Sequence, residues 1–295
     1  GNVHLETLYT GCRWSEGPVY VPAGRYLLWS DIPNDRVMRW DETDGSVSVF
    51  QSPAWNANGH TLDRQGRVIS CEHRGRCVSR IEHDGRRTLL ATHVNGARLN
   101  SPNDVVVKSD DSIWFTDPLF GINGEWEGAR ATREQANTNV FRIGTDGQLT
   151  AVITDLVNPN GLAFSPDEKK LYVVEWKGTP NRSIWSYDVG ADGATLSNKT
   201  KLIDAADQGA LDGFRVDRDG NLYVATRLGI QICDQAGRVN AIIPTPNGRI
   251  TNLVFGGENF DTLYASCNDQ VFRRKLKVRG ANAWAPPHKP TAPKL

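Results

Sequence analysis

The sequence predicts an all-β chain folded as a single six-bladed β-propeller, with an N-terminal strand closing the last blade. Three observations carry that prediction: a hairpin pattern repeated six times, alternation of apolar and polar residues within it, and one strand missing at the end of the last repeat. The repeats read SEGPVYVPAGRYLLWSD from Ser15, ANGHTLDRQGRVISCE from Ala57 and PNDVVVKSDDSIWFTD from Pro102, followed by PNGLAFSPDEKKLYVVE from Pro159, LDGFRVDRDGNLYVAT from Leu211 and TNLVFGGENFDTLYAS from Thr251. Each places a polar leader before a short apolar strand, a Gly/Asp/Pro turn and a second apolar strand. The leaders are Glu16, Asn58, Asn103, Asn160, Asp212 and Asn252, spaced by 42, 45, 57, 52 and 40 residues. A four-stranded blade takes about 40–45 residues, so the third and fourth repeats carry insertions.

Each element follows from its residues. Segments such as VFRIGTDGQLTAVI and SIWSYDVGADGATL supply the two outer strands of a blade, with β-branched and aromatic residues alternating as half-buried antiparallel strands require. No segment holds a helical period beyond two turns. After Asn252 only the hairpin and one strand near VFRRKLKV remain, whereas HLETLY precedes the first leader and can complete the sixth blade. Ring closure of this kind limits exposed sheet edges. The propeller is expected over residues 1–279, with residues 280–295 as a Pro-rich tail.

Composition narrows the function. Of 295 residues 39% are hydrophobic, and with 28 glycines the apolar-plus-Gly share is about 48%, ordinary for a globular chain. The 34 basic and 34 acidic residues cancel; a nucleic-acid binder would carry a basic surplus, so no nucleic-acid partner is expected. No apolar run reaches the roughly 18 residues of a membrane span, so no membrane partner is expected either. Five cysteines make no disulfide framework at this length and read as buried thiols. The chain begins at Gly1 with no charged-then-apolar leader, leaving cytoplasmic and periplasmic locations both open. The oligomeric state is likewise open.

In a propeller the first strand of each blade lines the central channel, so the six leaders converge on one mouth. They comprise two carboxylates and four carboxamides, without His or Cys. Such hard oxygen donors suit Ca²⁺, which takes six to eight oxygens, whereas Zn²⁺ recruits nitrogen or sulfur. Two carboxylates balance a divalent charge.

At this point the chain resembles the SMP-30/gluconolactonase group of calcium-dependent propeller lactonases, most densely in SEGPVY, RLNSPNDVVVKSDDSIWFTDPLFGI, NPNGLAFSPDEKKLYVVE and DGFRVDRDGNLYVAT. The bacterial gluconolactonase branch is the most similar. The resemblance implies that Glu16, Asn103, Asn160 and Asp212 hold a divalent cation, Ca²⁺ foremost with Zn²⁺, Mn²⁺ or Mg²⁺ as alternatives. It also implies that Asp212 is the base and that the substrate is a small sugar lactone such as D-glucono-1,5-lactone. Asn58 and Asn252 are not ligands in the family, although both can face the pocket. One position departs from it: some animal members carry a sugar-contacting Arg two residues before the Asn ligand, where this chain has Ser101, with Arg98 nearby.

Lactone hydrolysis needs a polarised carbonyl, an activated water and stabilisation of the oxyanion, which a cation and an adjacent carboxylate can supply. Further groups are expected at the same mouth. The second strands end at Asp31, Glu72, Asp117 and Glu175, each a candidate base or hydroxyl-binding group. His60 shares the strand face of Asn58. The insertion over residues 118–139 emerges from the metal-bearing end, and loops of this length commonly act as lids; Trp126, with Glu125, Glu127 and Arg130, can cover a polyol. Signatures of serine hydrolases, zincins and nucleotide-binding loops are absent. DRDGN at Asp217 is a hairpin turn. Two other readings accompany the sugar lactonase: a hydrolase of other lactones or organophosphate esters, and a non-enzymatic propeller scaffold, which has no need of acids and amides at equivalent channel positions.

Overall fold

Six four-stranded antiparallel sheets follow one another along the chain. The structure, a computed structural model, describes residues 5–177, 182–205 and 211–281. From the channel outward, blade one contains Ser15–Val21, Tyr26–Asp31, Arg36–Asp41 and Val47–Gln51, and blade two Ala57–Leu62, Val68–Glu72, Cys77–Ile81 and Arg87–Ala91. Blades three to five begin at Val105–Val107, Pro159–Phe164 and Phe214–Val216. Blade six runs through Asn252–Gly256, Thr262–Cys267 and Gln270–Lys275, and its outermost strand is the N-terminal Glu6–Thr10. The all-β propeller and its closure by the N-terminal strand thus agree with the sequence. A two-residue pair, His93–Val94 with Ala97–Arg98, stands outside the blades.

Closure uses both ends of the sheet. On the outside, Glu6 pairs with Arg273 and Thr10 with Gln270. On the inside, Thr251 Oγ1 donates to the Ser15 carbonyl at 2.7 Å, and Ser15 Oγ accepts from the Cys267 amide at 3.1 Å. Between the blades lies an aromatic seam in which Tyr20 stacks on Tyr264, ring centroids 5.6 Å apart, beside fully buried Trp29 and Phe272. Leu5, Leu8 and Tyr9 of the closing strand pack against this cluster. All five cysteines are free and buried, in keeping with the sequence.

The expected boundary at residue 279 shifts slightly. Gly280 bridges to Asp217, and Ala281 donates its amide to the Val216 carbonyl at 3.1 Å, so the first two residues of the expected tail dock on blade five. The rest of that tail, residues 282–295, lies outside the described residues. The Asp217 segment is a turn, as read: its Oδ1 accepts the amides of Asp219 and Asn221, both at 2.9 Å. Among the described residues no helix is long and apolar enough to cross a membrane.

The inner strands approach one another unusually closely at their leaders. Four leaders are followed by glycine, and a Cβ on Gly17 would stand 1.9 Å from the Asn58 carbonyl oxygen. The corresponding distances are 2.5 Å from Gly59 to the Asn103 oxygen and 2.6 Å from Gly161 to the Asp212 oxygen. At Gly213 the added carbon would collide with the Asn252 side chain itself, 2.1 Å from its Oδ1. At these four positions no side chain larger than hydrogen fits beside the next leader.

Deleting residues 1–10 should cost about 3 kcal/mol, from the partial exposure of three apolar side chains at about 1.5–3 kcal/mol each when fully buried, and should leave Gln270–Lys275 as an open edge. Urea unfolding with size-exclusion chromatography would check this; an unchanged midpoint and a monomeric profile would contradict the closing role.

Candidate active site at the channel mouth

A cavity of about 270 Å³ opens at the end of the channel where the leaders lie. That is near the small end of ligand pockets, about 300–1,000 Å³, and suits a single small ring. Five leaders line it: Glu16, Asn58, Asn103, Asn160 and Asp212. All five are buried, with 4–6% exposure. Asn252 stands behind them; its Oδ1 accepts its neighbour Leu253's amide at 2.9 Å, and its side chain hydrogen-bonds Glu16.

Strand irregularities aim these side chains. The pairing registers break between Glu16 and Val19, Ala57 and His60, and Pro159 and Leu162, immediately around three of the leaders. A bulge of this kind turns a side chain out of the regular pleat. Directly paired residues share a face, and a one-residue step reverses it. Ala57 pairs with Glu72, Ser15 with Asp31 and Pro159 with Glu175, so each strand-end carboxylate faces away from the leader one residue on.

That geometry corrects the expectation that the strand-end acids contact substrate; none lines the cavity. Glu72 is held by Arg87, by Ser79 Oγ at 2.6 Å and by Cys77 Sγ at 3.1 Å. Asp117 Oδ2 accepts the Asn100 amide at 2.8 Å and Gln135 Nε2 at 2.9 Å. Glu175 accepts the Val157 amide at 2.9 Å and Trp185 Nε1 at 2.8 Å. Asp31 accepts the Arg13 amide at 2.8 Å and Arg36 Nε at 2.9 Å. Asp31, Asp117 and Glu175 staple connecting loops, and Glu72 ties together the outer strands of its own blade. His60 is also corrected: its ring is wedged between Ser30 Oγ and Ser70 Oγ, each at 2.8 Å, away from the cavity. Burial pushes its pKa down to about 4, leaving it a neutral spacer between blades.

The insertion after Asp117 does reach the mouth. Its short turn at Phe120–Ile122 and its crest bring Phe120, Trp126 and Glu127 to the cavity wall. Ser101, at the position of the family's arginine, is fully buried and clamps the root of this loop, donating to the Pro118 carbonyl at 2.7 Å and accepting the Gly121 amide at 3.0 Å. It is a structural hinge-pin rather than a sugar contact.

Four lining residues were not read from the sequence: Trp14, Phe120, Trp176 and Arg249. Arg249 donates Nη2 to Asp212 Oδ2 at 3.1 Å and lies over the Trp14 ring at 5.2 Å. Trp14 abuts a leader segment and Phe120 lies within the insertion, so proximity in sequence could have flagged both. Trp176 and Arg249 carry no local signal.

The electrostatics are those of a site short of positive charge. Burial, then the neighbouring Asp212 charge, raises the Glu16 pKa well above the carboxylate range. Burial also raises Asp212 to about 6 against the pull of Arg249, and Glu127 to about 6. The amides are oriented as well. Asn160 Nδ2 donates to Asp212 Oδ1 at 2.9 Å, and the amide nitrogens of Asn58 and Asn103 each meet His73 Nε2 at 3.3 Å, so all three carboxamides are held through their nitrogens. Among the described residues no three His, Cys, Asp or Glu side chains cluster as a metal site. A cation here would draw on amide oxygens beside the two carboxylates, and that donor set fits a hard divalent ion.

A propeller with acids and amides around a small channel mouth defines a class of pocket proteins, and comparison places the chain within it. The family model for the SMP-30/gluconolactonase/LRE-like region matches residues 14–268, and the chain belongs to that family. A gluconolactonase of Zymomonas mobilis is 31% identical across 94% of this chain and 82% of its own. A pentonolactonase of Haloferax volcanii is 28% identical across 87% of this chain and 82% of its own. The solved structure of a gluconolactonase from Xanthomonas campestris superposes with a TM-score of 0.87 at 37% identity, over 94% of this chain and 90% of that one.

Asp117 offers a test of this electrostatic picture away from the leaders. Burial raises its pKa to about 7 from an ordinary 3.8, so the folded state favours the neutral acid. Its contribution is complete below about pH 4 and is lost as pH rises through about 7. Urea midpoints should therefore fall from pH 5 to pH 8, and Asp117→Asn should flatten that fall; an equal slope in both proteins would contradict it.

Proposed function

We propose that the protein is a divalent-cation-dependent lactone hydrolase acting on small aldonolactones, D-glucono-1,5-lactone foremost. The observation that carries this reading is the convergence of three carboxylates, Glu16, Glu127 and Asp212, and three carboxamides, Asn58, Asn103 and Asn160, on one cavity of about 270 Å³. The relatives named for gluconolactone and pentonolactone support the substrate class.

Glu16, Asn103, Asn160 and Asp212 would hold the ion, Ca²⁺ by donor chemistry, and the bound cation would supply the positive charge that polarises a lactone carbonyl and offsets the oxyanion. The chain's own residues do the rest. Trp14, Phe120, Trp126 and Trp176 give the C–H faces of a ring apolar walls, while the polar leaders meet its hydroxyls. As water adds to the carbonyl carbon, its proton passes to a carboxylate; as the ring C–O bond breaks, a proton returns to the ring oxygen. The resemblance assigns that carboxylate as Asp212, which is already engaged by Asn160 and Arg249. Glu127 lines the same cavity on the lid, and a pKa of about 6 suits a group that both takes and gives a proton near neutrality.

Proton release from D-glucono-1,5-lactone, above the uncatalysed rate, should vanish with EDTA and return with Ca²⁺, and with Mg²⁺, Mn²⁺ or Zn²⁺ to differing extents. Turnover insensitive to chelation would remove the cation from the reading. No turnover of any aldonolactone by folded protein would redirect the search to other lactones and phosphotriesters.

Asp212→Asn should lower kcat/KM by about 10²-fold or more, through weakened cation binding. Glu127→Gln should lower kcat by about 10²–10⁴-fold with Ca²⁺ affinity, measured by calorimetry, unchanged. Wild-type kcat in Glu127→Gln would return the proton transfer to Asp212 alone.

A further inference from the structure

We propose that His73 is a positioning residue that fixes the amide orientation of Asn58 and Asn103 and ties that orientation to the seating of the lid loop. The inference rests on the reading of the channel mouth as a cation site.

His73 follows the strand end at Glu72 and is completely buried beneath the cavity floor. Its backbone is pinned on both sides: its amide donates to the Asn56 carbonyl at 3.1 Å, and its carbonyl accepts from the Arg76 amide at 3.2 Å. The ring then spans three elements. Nδ1 lies 2.9 Å from the backbone carbonyl oxygen of Glu127 on the lid, while Nε2 lies 3.3 Å from the amide nitrogens of Asn58 in blade two and Asn103 leading blade three.

Hydrogen-bond logic then determines the rest. A carbonyl oxygen only accepts, so Nδ1 carries the hydrogen. The Glu127 carboxylate, at 3.7 Å from Nδ1, is beyond hydrogen-bonding range, so the backbone carbonyl is the partner of Nδ1. In the neutral imidazole the remaining nitrogen is a bare acceptor. Both carboxamides must offer it their NH₂ groups, since an amide oxygen there would set lone pair against lone pair. With the NH₂ groups turned down, both Oδ1 atoms turn toward the cavity. A cation site needs oxygens, so the tautomer of one buried ring decides whether two of the five lining leaders present donors or obstacles.

The lid is part of the same device. A Cβ on Gly121 would stand 2.4 Å from His73 Cβ, so the Phe120–Ile122 turn rests directly on the histidine. Arg74 Nη2 reaches the Gly128 carbonyl at 3.5 Å beside it. Seating of the loop places the Glu127 carbonyl that holds the Nδ1 hydrogen, and through the ring this sets the two amides. Asn58, which the family resemblance leaves outside the ligand set, is under the same constraint as Asn103 and presents an oxygen to the same space.

Two conservative substitutions separate the two halves of the device. In His73→Gln an amide oxygen can occupy the Nε2 position and accept from both asparagines, while the bond to the lid is lost. In His73→Asn an amide NH₂ can occupy the Nδ1 position and donate to Glu127, while the asparagines lose their acceptor. Ca²⁺ binding to each purified protein would be measured by isothermal titration calorimetry, with folding verified by circular dichroism. His73→Gln should stay within about threefold of wild type. His73→Asn should bind about 10–100-fold more weakly, the usual effect of losing an outer-shell partner, and its lactone turnover should recover at high Ca²⁺. Wild-type affinity in His73→Asn, or equal losses in both variants, would overturn the positioning role. Absence of Ca²⁺ binding in the wild type would instead overturn the cation site on which it rests.

Discussion

The close approach of the leader backbones around the channel is the constraint on which the rest of this structure depends. At four of the six junctions successive inner strands meet with no room for a β-carbon, as the 1.9 Å clash that an alanine at Gly17 would make with the Asn58 carbonyl demonstrates. Because the ring is this tight, side chains from blades one, two, three, four and five share one small cavity. A looser ring of the same residues would present separate surface acids and amides, each solvated and each without chemistry.

Tightness has an electrostatic consequence. Asp212 lies near enough to Glu16 to resist its ionisation, and Glu127 does the same to Asp212. Burial without compensation is costly for a carboxylate, and the surroundings offset only part of it, through Arg249, Asn160 and the Gly17 amide, which donates to Glu16 Oε2 at 2.8 Å. A divalent ion would neutralise the remainder, so the fold stores an unmet demand for positive charge at the site where a carbonyl must be polarised. The four strand-end acids illustrate the contrast. Asp31, Glu72, Asp117 and Glu175 are equally buried, but each is enclosed by backbone amides, arginines or tryptophan N–H groups and serves the architecture.

The insertion after Asp117 forms part of the cavity wall through Phe120, Trp126 and Glu127. Its root is clamped by Ser101, its turn rests on His73 and its crest carries Trp126 over the mouth, where Arg13 lies 5.1 Å from the indole centroid. The cavity is polar at its leaders and aromatic on its walls, where Trp14, Phe120 and Trp176 stand. The aromatic groups and Glu127 thus reach the cavity mainly from loops, whereas Glu16, Asn58 and Asn160 come from the inner strands.

Much of this was legible in the chain alone, because propeller repeats are local. A hairpin with its turn residues is written in some sixteen consecutive residues, and six copies reveal both the ring and the leaders that converge on it. The dipeptides Glu16-Gly17, Asn58-Gly59, Asn160-Gly161 and Asp212-Gly213 even carried the close packing in plain view. What the chain alone determined was thus the architecture, the acid and amide character of the mouth and the position of the lid. Only the tertiary structure decided which polar groups work in the cavity. A one-residue step along a strand reverses a side chain, which turned Asp31, Glu72 and Glu175 away from the leaders and toward structural partners. Arg249 and Trp176 reach the site from loops in different blades, without any local pattern to mark them. His73 acquires its role only through three partners separated by 15, 30 and 54 residues. Such contacts arise when the ring closes, and sequence spacing within one blade cannot encode them.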